Sequence, residues 1–290
     1  MNNLCNICPR NCNANRKTKL GFCGAPSAIK VAHVGLHFWE EPCISGTRGS
    51  GTVFFSHCNL RCVFCQNAEL RDGKIGKEIS TQHLVEVFKR LEKMGAHNIN
   101  LVSPTHYSTQ ILDALKTYKP DIPVVWNSNG YETIETIKKV APYVDVFLVD
   151  LKYYDSALSA RLSFCPNYFE VASKTILEIR KIVGADIFEN GLMKKGLIVR
   201  HLVLPNHTDD SLQIIDFLAE KMPNTIFSLM SQYVPYAEAK NFEDISRKLK
   251  PIEYNRVLHY AQSKMKGTIF AQDTASASEI FIPTWKPEEV

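Results

Sequence analysis

No run of apolar residues in this 290-residue chain approaches the ~20 needed to cross a bilayer, so a membrane role is not expected. The opening stretch, MNNLCNICPRNCNANRK, has no apolar segment of the signal-peptide kind, and the expected address is the cytoplasm. Charge imbalance is small, at +4, and the Lys and Arg residues are spread rather than clustered, so nucleic acid is not an expected partner. No internal repeat or low-complexity tract interrupts the chain. A phosphate-binding loop is also missing. SGTRGSGTV (45–53) has the glycines, but Thr52-Val53 stands where Lys-Ser/Thr is required, and the segment precedes a strand. What is present is apolar material, at 45%, enough to bury roughly three-quarters of the unfolded surface in one large domain or a domain with an appendage.

From Gly51 onward, strand and helix signals alternate. Strand patterns fall at 51–56, 98–102, 123–127, 144–151, 196–204 and 225–231, and helix patterns at 80–95, 108–118, 132–140, 168–183 and 211–222. STQHLVEVFKRLEKMG (80–95) shows a serine cap, an amphipathic body and a closing glycine. Six strands with five helical stretches between them predict an α/β fold of parallel β/α units. A doubly wound sheet and a full or partial barrel both fit that order. Residues 1–50 read as an irregular cysteine-rich extension, 51–235 as the main domain, and 236–290 as one helix (252–267) and a tail packed on it.

Nine cysteines are many for a reducing compartment, where structural disulfides are disfavoured, and seven of them fall into two tight groups. In HCNLRCVFC, Cys58-x3-Cys62-x2-Cys65 follows the first strand pattern, and no further cysteine occurs until Cys165. Thiols this close in sequence are poor disulfide partners but good soft-metal ligands. Four thiolates would close a structural zinc or iron–sulfur site; three on a four-iron cluster leave one iron open to chelate a small molecule. The competing readings are three core cysteines, or zinc with His57 or Cys165 as a fourth ligand.

The spacing C-x3-C-x-aromatic-C, with Phe64 as the aromatic, resembles the signature of the radical S-adenosylmethionine (SAM) enzymes. HFWEEPCISGTRGSGTVFFSHCNLRCVFCQN (37–67), VDLK (149–152) and VRHLVLPNHTDD (199–210) resemble the branch related to pyruvate formate-lyase activating enzymes, and the similarity runs from about residue 5 to 235. The resemblance implies a partial (β/α)6 barrel of radical SAM type, following the cysteine-rich extension. It implies a [4Fe-4S] cluster held by Cys58, Cys62 and Cys65, whose fourth iron binds the amino and carboxylate groups of SAM. Reductive cleavage of SAM then gives a 5′-deoxyadenosyl radical that abstracts hydrogen from a substrate, with Phe64 packed near the adenine. An electron donor such as flavodoxin or ferredoxin is implied as well. In this branch the target is a glycine of a partner enzyme; another peptide or a small molecule is the alternative, and a non-catalytic metal-binding protein is the rival from another class.

Active sites of β/α barrels sit at the carboxyl ends of the strands. By resemblance, Asn127 and Asn129 lie in the segment matching the activating enzymes' Asp-Thr-Asn-Gly turn. Asp150 and Lys152 match their Asp-Leu-Lys motif, where the lysine pairs with the methionine carboxylate. Arg200 and His201 fall on the strand that reaches the ribose or carboxylate; being adjacent, they point to opposite faces, and one of them is expected to see the cofactor. Simpler roles compete: Asn-Gly is a turn signal, Asp150 suits a helix cap, and Arg200 suits a buried ion pair. Where the branch carries Gly-Gly-Glu after the second strand, this chain has Ser103-Pro104-Thr105-His106, so Thr105 or His106 is expected to accept the bond from the methionine amino group.

The other group, Cys5-x2-Cys8-x3-Cys12-x10-Cys23, sets four thiols within 19 positions, a closed-site pattern for a second metal centre, either zinc or an auxiliary iron–sulfur cluster. Cys43 and Cys165 are solitary and read as packing residues.

Overall fold

Strand formation follows the β-branched and aromatic clusters, and each crossover back to the same sheet edge is made by an amphipathic helix. The computed structural model describes residues 4–273 together with Trp285 and Val290. Strands β1 (Ile29–His37), β2 (Ser50–Phe55) and β3 (Lys77–Ile79) come first, with short helices α1 (Pro42–Ser45) and α2 (Ala68–Arg71) between them. Then follow α3 (Thr81–Lys93), β4 (Ile99–Val102), α4 (Ser108–Thr117), β5 (Val124–Ser128), α5 (Ile134–Val140) and β6 (Val146–Asp150). The chain continues through α6 (Ser156–Ser163), α7 (Tyr168–Val183), β7 (Ile187–Glu189), β8 (Leu192–Leu202), α8 (Thr208–Lys221), β9 (Ile226–Met230), α9 (Pro251–Lys264) and β10 (Ile269–Ala271).

The sheet order is β10-β9-β8-β6-β5-β4-β2-β1-β3. Every neighbouring pair from β2 to β10 is parallel, while β1 runs antiparallel to both β2 and β3. The six expected parallel strands are therefore all present. Among the described residues β3 and β10 have no strand on their outer sides, so the curved sheet is an open, partial barrel. β5, β6 and β9 are buried along their whole length, as parallel strands sandwiched between a filled interior and a helical layer must be. Ser80 caps α3 by accepting from the His83 amide at 3.1 Å, and Thr133 and Asp155 cap α5 and α6 in the same way.

Two expectations need correction. Residues 29–37 are not irregular: they form β1, the longest strand after β8. The register slips between Val31 and His33, so one extra residue breaks the period-two alternation that would have revealed the strand. The strand expected at 196–204 begins earlier, at Leu192, because Asn190-Gly191, both at positive φ, turn a hairpin between β7 and β8. After residue 235, α9 packs on α8 and β10 extends the parallel sheet.

Candidate active site at the carboxyl ends of the strands

A cavity of about 530 Å³ opens at the carboxyl ends of the parallel strands. Cys62, Phe64 and Cys65 reach it from the loop after β2, Asn127 from β5, Asp150 and Lys152 from the end of β6, and Arg200 from β8. Pairing explains the charged group: Asp150 and Arg200 are register partners on β6 and β8, so their side chains share a face. Arg200 Nε donates to Asp150 Oδ1 at 3.0 Å and its terminal nitrogens donate to Glu40 at 3.2 Å and to Asn127 Oδ1 at 2.6 Å. Lys152 Nζ donates to the other Asp150 oxygen at 2.6 Å.

Burial alone would raise the Asp150 pKa, but Lys152 and Arg200 overcome it and hold the carboxyl below its ordinary value. Burial would lower Lys152 and Arg200, yet the facing carboxylates hold both above their ordinary values. Asp150, Lys152 and Arg200 are therefore charged near neutral pH. Glu40 is the exception. Its burial prevails over Arg200 and Asn100 and pushes its pKa up.

The cysteine loop is held by groups aimed at sulfur. Ser163 Oγ donates to Cys62 Sγ at 2.9 Å, and Asn129 Nδ2 and the Leu60 amide donate to Cys58 Sγ at 3.3 and 3.4 Å. Burial pushes the free Cys58 thiol up to about 11 and Cys65 up to about 12, so metal binding would have to displace protons there. Gly130 makes the Asn129 turn possible: at φ +77 a Cβ would lie 2.5 Å from the Asp150 carbonyl oxygen. Phe64 borders the cavity and meets the Tyr233 ring edge-on at 5.9 Å. Among the described residues, no three Cys, His, Asp or Glu side chains are gathered around a single-ion position. For the Cys58 group this suits a polynuclear cluster, whose irons are spread among the thiolates, better than one zinc ion.

The structure does not bring every expected residue to the cavity. His201 turns outward, with Nδ1 and Nε2 each 2.8 Å from the Leu151 carbonyl and Ser211 Oγ, and burial pushes its pKa down to about 4. Of the adjacent pair, Arg200 is the one that faces inward. Thr105 donates to buried Glu132, which also accepts from Trp126 and Ser128, so this hydroxyl belongs to a core network. His106 is buried against the Ser56 carbonyl and lines the amino-terminal cysteine cavity instead. Asn129 stands beside Cys58 and not among the groups lining the large cavity.

The residue that sequence reasoning missed is Glu40. It lines the cavity from the β1–α1 connection and accepts from Asn100, Asn127 and Arg200. The signal was an acidic pair, Glu40-Glu41, in an otherwise apolar stretch, which is where a buried carboxylate needs cationic company.

Two thiols lining a charged cavity, Cys62 and Cys65, with Cys58 on the same loop at the carboxyl ends of an open parallel barrel, define a class of barrel protein suited to a thiolate-ligated centre. Residues 52–218, more than half of the chain, match the Radical SAM superfamily, and the chain belongs to that superfamily. Membership implies a SAM-dependent radical enzyme with a [4Fe-4S] cluster, and the donor set of Cys58, Cys62 and Cys65 fits such a group. The Uncharacterized protein MJ0674 of Methanocaldococcus jannaschii is 33% identical over 267 residues, covering 89% of this chain and 74% of that protein. The crystal structure of Streptococcus suis SuiB superposes on 75% of the chain with a TM-score of 0.50 at 15% identity, which supports the fold; the chain spans 47% of SuiB. A domain of pyruvate-formate lyase-activating enzyme from Bacteroides vulgatus gives a TM-score of 0.38 at 14% identity, over 67% of this chain and 91% of that domain. Among the described residues no helix is long and apolar enough to cross a membrane.

Proposed function

We propose that the chain binds SAM against a [4Fe-4S] cluster held by Cys58, Cys62 and Cys65 and uses it to abstract hydrogen from a glycine of a partner enzyme, with electrons supplied by a flavodoxin or ferredoxin. The observation that carries the chemistry is the placement of Cys62 and Cys65 on the same cavity wall as Asp150, Lys152 and Arg200. The group supplies one electron, when bound, to split the sulfonium carbon–sulfur bond of SAM and release a 5′-deoxyadenosyl radical.

The chain's own residues bind and orient. Lys152 and Arg200 are charged donors suited to a carboxylate, and Asp150 keeps both in place. Asn127 offers an amide at the next strand end. Phe64, Phe54, Val102, Leu202 and Met230 give the cavity apolar walls that limit water around a reactive carbon radical. The mouth is bordered by exposed Trp39 and by Gln66 and Gln232, groups suited to the apolar and amide surface of a peptide segment.

The test is anoxic incubation of the reconstituted protein with SAM and dithionite, measuring 5′-deoxyadenosine. Cys58→Ala, Cys62→Ala and Cys65→Ala should each abolish product; an iron-replete wild-type protein that forms none would overturn the assignment. Deuterium from a labelled glycine in the partner should appear in 5′-deoxyadenosine. Label that stays in the partner would move the substrate to another peptide or small molecule.

A further inference from the structure

The amino-terminal thiols lie apart from the cavity used above. We propose that Cys5, Cys8, Cys12 and Cys23 bind an iron–sulfur cluster, and that this centre fastens the amino-terminal segment to the loop bearing Cys58 and Cys62.

All four thiols line one small, nearly closed cavity, together with Arg10, Arg16, Asn11 and His106. Local backbone geometry brings them there. The Cys5 amide donates to Ala14 and the Asn13 amide donates back to Cys5, both at 2.9 Å, folding residues 5–14 on themselves. Asn11 and Asn13 take left-handed φ of 44° and 49° to make the return. Amides then point at sulfur: Phe22 N lies 3.3 Å from Cys12 Sγ and Ala25 N lies 3.5 Å from Cys23 Sγ. At Gly21 an added Cβ would sit 3.0 Å from Cys12 Sγ, so only glycine passes that sulfur without displacing it.

Packing use of these cysteines would call for apolar neighbours. The lining here sets two cationic side chains, Arg10 and Arg16, beside the thiols, with Ile7 as the sole large apolar side chain. Arg16 is 9% exposed, and neither it nor Arg10 has a carboxylate partner among the described residues. Both guanidinium groups donate to backbone carbonyls and leave their charge uncompensated. Thiolates on a metal supply the missing negative charge.

The fastening runs through Arg10, which lies between Cys8 and Cys12. Its Nε donates to the Asn59 carbonyl at 2.9 Å and a terminal nitrogen donates to the Phe164 carbonyl at 2.6 Å. Its guanidinium lies 3.7 Å from the centroid of Phe22, whose ring also meets Arg61 of the cysteine loop at 4.9 Å. Asn59 neighbours Cys58, and Ser163, next to Phe164, donates to Cys62.

The test uses the full chain with Cys58, Cys62 and Cys65 all changed to Ala, reconstituted anoxically with iron and sulfide, freed of loose metal and analysed for zinc, iron and sulfide. The expected result is about four irons with as many sulfides retained per chain and lost when Cys5→Ser and Cys8→Ser are added. Stoichiometric iron with sulfide supports the centre; zinc alone, or no stoichiometric metal, overturns the proposal. Should the multiple variant not fold, wild-type protein is alkylated natively with and without a chelator and the thiols mapped by mass spectrometry. Protection of Cys5, Cys8, Cys12 and Cys23 that the chelator removes supports the centre, and equal labelling refutes it. Because neither readout involves SAM cleavage, failure here is distinct from failure of the function proposed above.

Discussion

Replacing Arg200 with Met removes the hub of the cavity while keeping its apolar stem. The side chain is 14% exposed, and its two carboxylate partners, Glu40 and Asp150, are 10% and 12% exposed. Without Arg200, Asp150 keeps Lys152, while Glu40 keeps only the amide donors of Asn100 and Asn127. Removing one partner of a buried ion pair costs about 3–5 kcal/mol. The Glu40 share of that cost is limited by protonation. Starting from an ordinary value of 4.5, neutralising it takes at most about 4 kcal/mol at pH 7.5 and about 1.4 kcal/mol at pH 5.5. A carboxyl whose folded pKa is raised loses stability as pH climbs above its unfolded value. Glu40 is already raised in the wild-type protein, so the variant's deficit should be larger at pH 7.5 than at pH 5.5, by less than the ~2.7 kcal/mol that separates those two limits. Urea unfolding of both proteins at the two pH values, followed by tryptophan fluorescence under anoxic conditions, measures it. A variant within 1 kcal/mol of wild type at pH 7.5, or one more impaired at pH 5.5, would refute the reasoning.

His201 is neutral when folded, with its pKa down at about 4, so the protein should lose about 1.4 kcal/mol of stability per pH unit as pH falls from 6.5 toward 4. In His201→Leu that acid limb should flatten in pH-dependent unfolding, while SAM affinity by calorimetry stays as it was. Glu132→Ala strands three buried donors, Trp126, Thr105 and Ser128, and should cost about 3–5 kcal/mol in denaturant unfolding, against about 1–2 kcal/mol for Thr105→Val. Asn129→Ala removes a hydrogen bond to Cys58 Sγ; because such donors favour the more negative reduced state, the cluster's midpoint potential in an EPR-monitored titration should fall.

The two cysteine groups, the six parallel strands and the helices between them are local in origin. Spacing, capping residues and apolar periodicity lie within a few residues of one another, so the chain states them directly, and Ser80, Thr133 and the Asn129-Gly130 turn all act as their types predict. Which strand-end residues share the cavity was a different matter. Alternation along β8 required that Arg200 and His201 part company, but only the pairing of β8 with β6 turned Arg200 toward Asp150 and left His201 under α8. Thr105 entered the Glu132 network because Trp126 and Ser128 of β5 were already there. Glu40 entered the cavity through β1, a strand hidden by its bulge. The juxtaposition of the amino-terminal thiols with the Cys58 loop likewise depends on Arg10 reaching Asn59, 49 positions away. Contacts across such separations are set by sheet order and register, which no short window of sequence contains.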